Sequence, residues 1–368
     1  MILTKLIEGS YRRLARPLLF RLDPERVHER AVALGERLGR YDSARAVVAK
    51  LLRYDHPALE QNLLGLRFRN PVGLPAGFDK NARLWRILPA VGFGFSELGS
   101  ITAGESGGNQ RRPRLWRRPA ARSLIVGYGL PSEGAARVAR RLPKPTARRD
   151  EWSAPLGLNI AFTNTHTIVR VEQAINDYLA SLEILAPFAD YLTLNLSCPN
   201  RLSDRLFAER DNLNALLDAV DRLQLKPPLL LKLSPDLNQT ELDAVLTAAE
   251  RHRVAGFVAS NLHKDTASEP RGAVSGPAYT PLADRQIAWL RRYGGPRFLI
   301  IGVGGVFTAA DAYRKIRLGA SLVQILTGLI YEGPQRVGQI NRGLVELLRR
   351  DGFATVGEAV GVDIDGLA

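Results

Sequence analysis

The apolar residues of this chain follow two different rhythms. Up to about residue 60 they recur at helical spacing. In LIEGSYRRLARPLLFRL, Leu14, Leu18, Leu19 and Leu22 share one face, and Pro17 breaks or kinks the run. DPERVHERAVALGERLGRY then opens with Asp23, a good N-cap, and with Pro24 at the first helical position. The pattern predicts two short amphipathic helices. From residue 61 onwards, short apolar runs end in Gly, Asn or Ser and give way to helical stretches. The runs are NPVGLPAG (70–77), GFSELGS (94–100), APLGLNI (154–160), YLTLNLS (191–197), PLLLKLS (228–234), GFVASN (256–261), RFLIIGVGG (297–305) and LVQILTG (322–328). Strands alternating with helices imply a parallel sheet with crossover helices. Eight such units over roughly 300 residues predict an α/β fold of the (β/α)8 barrel type rather than a doubly wound sheet. The expected division is an N-terminal helical extension, 1–45, and a barrel, 46–368.

In a barrel, the polar residues that end each strand converge on one face, where active sites form. Here they include Lys80, Ser100, Asn159, Asn195, Cys198, Asn200, Lys232, Asn261, Gly304, Gly305 and Thr327. Asparagine is a poor strand residue, and any one of these could simply end a turn. Four asparagines with two lysines read as a site for a planar, amide-rich ligand such as a flavin or a pyrimidine. IIGVGGV followed by FTAADAYRKIRLGA is a strand, a glycine turn and a helix. Glycines let backbone N–H groups approach a phosphate, and the position at the seventh strand of a barrel suits one. No G-x-G-x-x-G stands in a strand–helix context, so a mononucleotide is expected rather than a dinucleotide.

Charge and cysteine content narrow the picture further. The chain of 368 residues has a formal charge of +14. Residues 1–53 hold twelve Lys and Arg against six acids, and residues 110–149 hold twelve against one, Glu133. Such blocks suit a plain solvated surface, an anionic membrane surface or nucleic acid. Aromatics are sparse in the second block, only Trp116 and Tyr128, which argues against a nucleic-acid stacking platform. No apolar run resembles a signal peptide or a membrane span. A single cysteine, Cys198, rules out an internal disulfide.

Taken in order, LLGLRFRNPVGLPAGFDKNA, GFGFSELGSIT, PLGLNI, ADYLTLNLSCPN, KLSPDL, IIGVGGV and GASLVQILTGLIYEGP resemble the dihydroorotate dehydrogenase family. YRRLARPLLFRLDPERVHERA resembles the extension of its membrane-associated, quinone-dependent class. The likeness covers nearly the whole chain. It implies FMN in the barrel, with Ala76, Gly77, Lys80, Ser100, Asn159, Asn195, Lys232, Ser260, Gly276, Gly305, Leu326 and Thr327 as flavin neighbours. It implies a substrate bound by Lys80, Val126, Gly127, Tyr128, Gly129, Leu130, Asn195, Asn200, Asn261 and Leu262. It further implies a membrane quinone as acceptor and a peripheral place on the cytoplasmic side of the cell membrane.

In the resemblance, Cys198 occupies the position of the base that removes a proton from C5 of dihydroorotate. The quinone class has serine there, and the soluble class has cysteine. A thiol of pKa about 8.5, lowered by a nearby lysine, suits proton abstraction beside a carbonyl. The plain alternative is a small buried apolar residue. The chain departs from the family at several points. Val126 stands where the family has a pyrimidine-binding asparagine, Leu262 and Arg201 replace threonines, and Ala161 and Phe162 replace Gly–Lys. These changes raise an alternative, a paralogue acting on a different cyclic amide or enone. A flavin-dependent RNA-modifying enzyme would also combine a barrel, a cysteine and a basic surface. It would, however, carry a helical RNA-binding domain of the usual size after residue 340.

Overall fold

All eight apolar runs become strands of one closed parallel barrel in the computed structural model, which describes residues 2–144, 146, 154–165, 167–197, 206–265 and 272–367. An antiparallel hairpin, β1 (Gln61–Leu63) and β2 (Leu66–Phe68), precedes the barrel. The barrel strands are β3 (Val72–Leu74), β4 (Phe95–Ile101), β7 (Leu156–Ile160), β8 (Tyr191–Asn195), β9 (Leu229–Leu233), β10 (Val254–Ala259), β13 (Leu299–Val303) and β14 (Leu322–Gln324). They pair in chain order, and β14 closes onto β3. The longer connecting helices include Val171–Leu185, Arg210–Arg222, Gln239–Arg251, Thr280–Gly294, Ala309–Arg317 and Arg336–Arg350. Each lays an apolar stripe on the outside of the barrel, as Leu213, Leu216, Leu217 and Val220 do from Arg210–Arg222.

The inward-facing residues form layers, because side chains two apart on a strand point the same way. The lowest layer is apolar: Phe95, Tyr191, Leu230, Val258, Ile301 and Leu322 pack together. Phe68 from the hairpin meets Phe95 edge to face at 5.6 Å and plugs this end. Gly73 and Gly157 admit the rings of Phe95 and Tyr191, since a Cβ at either position would collide with them. Two residues further along the strands, the layer turns polar, with Glu97, Asn159, Thr193, Lys232 and Gln324. Ser100, Asn195 and Ser260 stand at the open end.

A second sheet was not visible in the strand–helix rhythm. β5 (Leu115–Arg118), β6 (Ser123–Val126), β11 (His263–Asp265) and β12 (Gly272–Ser275) form an antiparallel sheet in the order β11-β12-β6-β5. It joins segments after the second and sixth barrel strands and walls one side of the open end. The strands are only three or four residues long, too short to show the apolar alternation that marks a half-buried strand.

The N-terminal region holds four α-helices rather than two: α1 (Ile2–Ser10), α2 (Arg16–Arg21), α3 (Pro24–Gly39) and α4 (Asp42–Leu52). A π-helical turn, Tyr11–Ala15, links α1 to α2 just before Pro17. The wider turn absorbs the missing proline N–H, so the run continues instead of ending. The side chain of Asp23 caps α3 as expected, accepting from Arg26 N–H at 2.9 Å. Helix α4 crosses residue 45.

Buried polar contacts fasten these helices to the barrel. Glu25 of α3 accepts the Arg114 backbone N–H at 2.8 Å and pairs with its guanidinium at 3.0 Å, with both side chains buried. Arg117 donates to Leu22 O at 2.9 Å, and Tyr11 Oη donates to Ile330 O at 2.7 Å. Burial pushes the Glu25 carboxyl up, but the hydrogen bonds from Arg114 outweigh this and hold it below the usual carboxylate range. Its contribution is therefore present at neutral pH and is lost only as pH falls through the lowered value. Glu25→Ala would strand a buried guanidinium and should destabilise the protein by about 3 kcal/mol in denaturant unfolding. It should also expose residues 1–52 to limited proteolysis. An unchanged midpoint and proteolytic pattern would contradict this role for the pair.

Candidate active site

The open end of the barrel, the β5–β6 and β11–β12 sheet and helix α3 together enclose one large cavity. Its empty volume is about 1410 Å³, counting the open solvent at its mouth. Most of the residues expected at the site line it: Ala76, Gly77, Lys80, Ser100, Val126, Tyr128, Gly129, Leu130, Asn195, Lys232, Ser260, Asn261, Leu262, Gly276, Gly305, Leu326 and Thr327. Gly127 lies between two lining residues, and its N–H donates to Arg114 O at 2.8 Å. Asn159 lies beneath the floor. Cys198 and Asn200, with Arg201, fall outside the described residues, in the segment that follows β8.

The strand-end asparagines are joined to one another. Lys232 Nζ stands 3.4 Å from Glu97 Oε1, which also accepts from Asn159 Nδ2 at 2.8 Å. Asn159 Oδ1 accepts from the Ser100 hydroxyl, which in turn accepts from Asn195 Nδ2 at 2.8 Å. Asn195 Oδ1 accepts from Asn261 Nδ2 at 3.1 Å, and that amide also donates to Ser197 O at 2.9 Å. Each amide is thereby fixed in orientation, and the network forms a rigid polar floor.

At the far side, Gly304 and Gly305 adopt positive φ values of 104° and 72°. Among the described residues, their N–H groups donate to no acceptor. A Cβ on Gly305 would collide with the Thr280 hydroxyl, so only glycine fits. Ser275 and Thr327 place their hydroxyls 2.6 Å apart in the same wall. Unpaired backbone N–H groups beside hydroxyls form a receptacle for an anionic oxygen cluster. The walls above are apolar, from Leu115, Leu124, Val126, Leu130, Leu262 and Val274. Phe162 does not reach the cavity; it packs edge-on against Tyr178 and Phe207 in the outer core.

Sequence reasoning missed several residues here. His28 of α3 lines the cavity and stands 3.2 Å from Lys80 Nζ. Burial, reinforced by the Lys80 charge, pulls the imidazole down to about 3, so it is neutral and accepts a hydrogen bond from the ammonium. Burial also lowers Lys80 to about 8, with Asp79 opposing. Its ammonium lies 4.2 Å over the Tyr128 ring, and the buried Tyr128 hydroxyl has no hydrogen-bond partner among the described residues. Glu97 and Gln324 were also missed, although a glutamate inside the apolar run FSELGSI is itself a signal.

A closed parallel (β/α)8 barrel, with a polar floor, a phosphate-type glycine turn and a helical cover at its carboxyl end, defines a cofactor-dependent barrel enzyme. The dihydroorotate dehydrogenase family model matches residues 58–348, and the chain belongs to that family. It is 43% identical to a dihydroorotate dehydrogenase (quinone) of Acidithiobacillus ferrooxidans over 364 residues, covering 95% of this chain and 98% of the relative. The corresponding Nocardia farcinica protein is 39% identical over 363 residues, covering 95% and 96%. A ligand-free dihydroorotate dehydrogenase structure from Eimeria tenella superposes with a TM-score of 0.79 at 30% identity, covering 90% of this chain and 98% of that one.

The Lys80 environment can be checked without any ligand. Competitive labelling of amines, read by peptide mass spectrometry, should show Lys80 becoming reactive with a midpoint near pH 8, because its neutral form prevails above that value. A midpoint near that of surface lysines, about 10.4, would refute the buried environment.

Proposed function

We propose that the chain oxidises dihydroorotate to orotate, with FMN as resident cofactor and a membrane quinone as final electron acceptor. The observation that carries this reading is the continuous likeness, over 95% of the chain and including its helical extension, to enzymes named for the quinone-linked activity. The cavity suits the cofactor. The Gly304–Gly305 turn with Ser275 and Thr327 would hold one phosphate, and Gly276 and Leu326 flank it. Lys232 and Gln324 Oε1, which has no partner among the described residues, would face the polar edge of the ring system, with Ala76, Gly77, Ser100, Asn195 and Ser260 around it. Bound there, the flavin supplies a two-electron acceptor for the hydride that leaves C6 of the substrate.

The chain supplies the rest. Cys198, as thiolate, takes the proton from C5, and the C5–C6 double bond forms as the hydride departs. Lys80 holds the substrate carboxylate, while Asn195, Asn200 and Asn261 orient the ring amides. The hydrogen bond from Asn261 to Asn195 pre-sets the orientation of those two amides, which limits the ordering cost on binding. Val126, Gly127, Tyr128, Gly129, Leu130 and Leu262 cover the ring and exclude water.

The same reading assigns the extension to the membrane. Leu6, Leu14 and Leu18 are 61%, 66% and 62% exposed, and arginines flank them. An apolar face rimmed by cations suits peripheral binding to an anionic leaflet, with the cavity mouth beneath it open to a lipophilic quinone. No described helix is long and apolar enough to cross a membrane. The location that follows is the cytoplasmic face of the cell membrane.

Anaerobic mixing of the oxidised holoenzyme with dihydroorotate should bleach the flavin absorbance, and denaturation should release FMN. Cys198→Ala should keep FMN and slow bleaching by about 10²-fold or more, the scale of general-base catalysis. A protein that carries FMN yet is not bleached by dihydroorotate would move the substrate to another ring. Near-native bleaching by Cys198→Ala would remove the cysteine from the mechanism.

Leu14→Asp with Leu18→Asp should leave bleaching by dihydroorotate intact. The double variant should lose most binding to anionic vesicles and most turnover with a long-chain quinone. Retention of both would refute the membrane-facing role.

A further inference from the structure

Glu97 is fully buried in the barrel, one layer below the cavity floor. Among the described residues, four groups meet its carboxylate, and all four are donors. Asn159 Nδ2 donates to Oε1 at 2.8 Å, and Lys232 Nζ stands 3.4 Å from the same oxygen. Thr193 Oγ1 donates to Oε2 at 3.3 Å, and Gln324 Nε2 at 3.4 Å. A ring of donors, one of them an ammonium, matches the acceptor-only chemistry of a carboxylate.

Two of these donors, Lys232 and Gln324, also line the cavity. For Gln324 the contact decides which end of the amide faces where. Its Nε2 is turned to Glu97, so its Oε1 is left without a partner among the described residues. For Lys232, Glu97 is the only acceptor among the described residues, so its remaining N–H groups are unused. Removing Glu97 would leave a bare cation under the floor and free the glutamine to flip.

We propose that Glu97 is a positioning residue for the redox reaction, acting through Lys232 and Gln324. It holds the ammonium in place, aims the amide oxygen at the cavity, and partly cancels the positive field that Lys232 exerts on whatever occupies the floor. The inference rests on the flavin reading above. A cation beside a flavin favours its electron-rich reduced form, and a buried counter-charge weakens that preference. The anion under the floor therefore keeps the bound flavin from becoming too strong an oxidant.

The test is the two-electron midpoint potential of the holoenzyme, measured by equilibration with a reference dye. Glu97→Gln removes the charge and should favour the reduced flavin by at least tenfold, about 30 mV upward. Lys232→Met should shift the potential downward. The double variant Lys232→Met with Glu97→Gln removes both charges together and leaves no unpaired ion, so it tests the idea even where Glu97→Gln alone does not fold. Its potential should lie at least tenfold in equilibrium constant above that of Lys232→Met. Potentials within twofold in both comparisons, with FMN bound, would reduce Glu97 to a structural residue. A wild-type protein without FMN would overturn the functional reading and this inference together.

Discussion

Within a single residue layer, the barrel interior passes from an apolar plug to a buried carboxylate with four donors. The rest of the site is built on that passage. Phe95 and Glu97 are neighbours on one face of the same strand. The first is sealed by Phe68, and the second is met by Asn159, Thr193, Lys232 and Gln324. A buried carboxylate is tolerated only if its partners are complete. The layer must therefore be polar on four other strands, and the polar chain then continues upward through Ser100 and Asn195 to Asn261. The floor is rigid because every member is fixed by its neighbours.

The mouth is controlled from outside the barrel. Helix α3 brings Glu25 to Arg114 and His28 to Lys80, so the extension contributes to the cavity wall as well as covering it. Both contacts need burial to work. The Glu25–Arg114 pair is a bidentate contact shielded from water, and the imidazole can accept a hydrogen bond from Lys80 only because it is kept neutral. The apolar face of the first helices and the polar face of α3 thus serve opposite sides of one cover. In the proposed scheme, the first meets lipid and the second meets the site.

Much of the fold was legible in the sequence, for a physical reason. Parallel barrel strands are buried on both faces and read as continuous apolar runs, and each of the eight was located by such a run. The glycine turn at 304–305 and the converging strand ends were legible too. The antiparallel sheet was not, because its strands are only three or four residues long and drawn from distant parts of the chain. Pro17 promised a break, and a π-turn absorbed it instead. His28 looked like one polar position on an amphipathic helix, and only the docking of α3 brings it to Lys80. The asparagines were read as a ligand grip; what the strand ends did not announce is that Asn159, Asn195 and Asn261 are linked to one another, the first two through Ser100. For Glu97 the clue was present in a charged residue at the centre of an apolar strand, but its meaning depended on which four side chains the barrel closure brings to it.

The most direct test of the whole account is a crystal structure of the oxidised protein with orotate. The account predicts one FMN with its phosphate on the Gly304–Gly305 turn and its ring against Lys232 and Gln324. It predicts orotate between that ring and the Lys80, Asn195 and Asn261 side chains, with the Cys198 sulfur facing its C5. A flavin seated elsewhere, or orotate absent from a cavity that holds FMN, would contradict it.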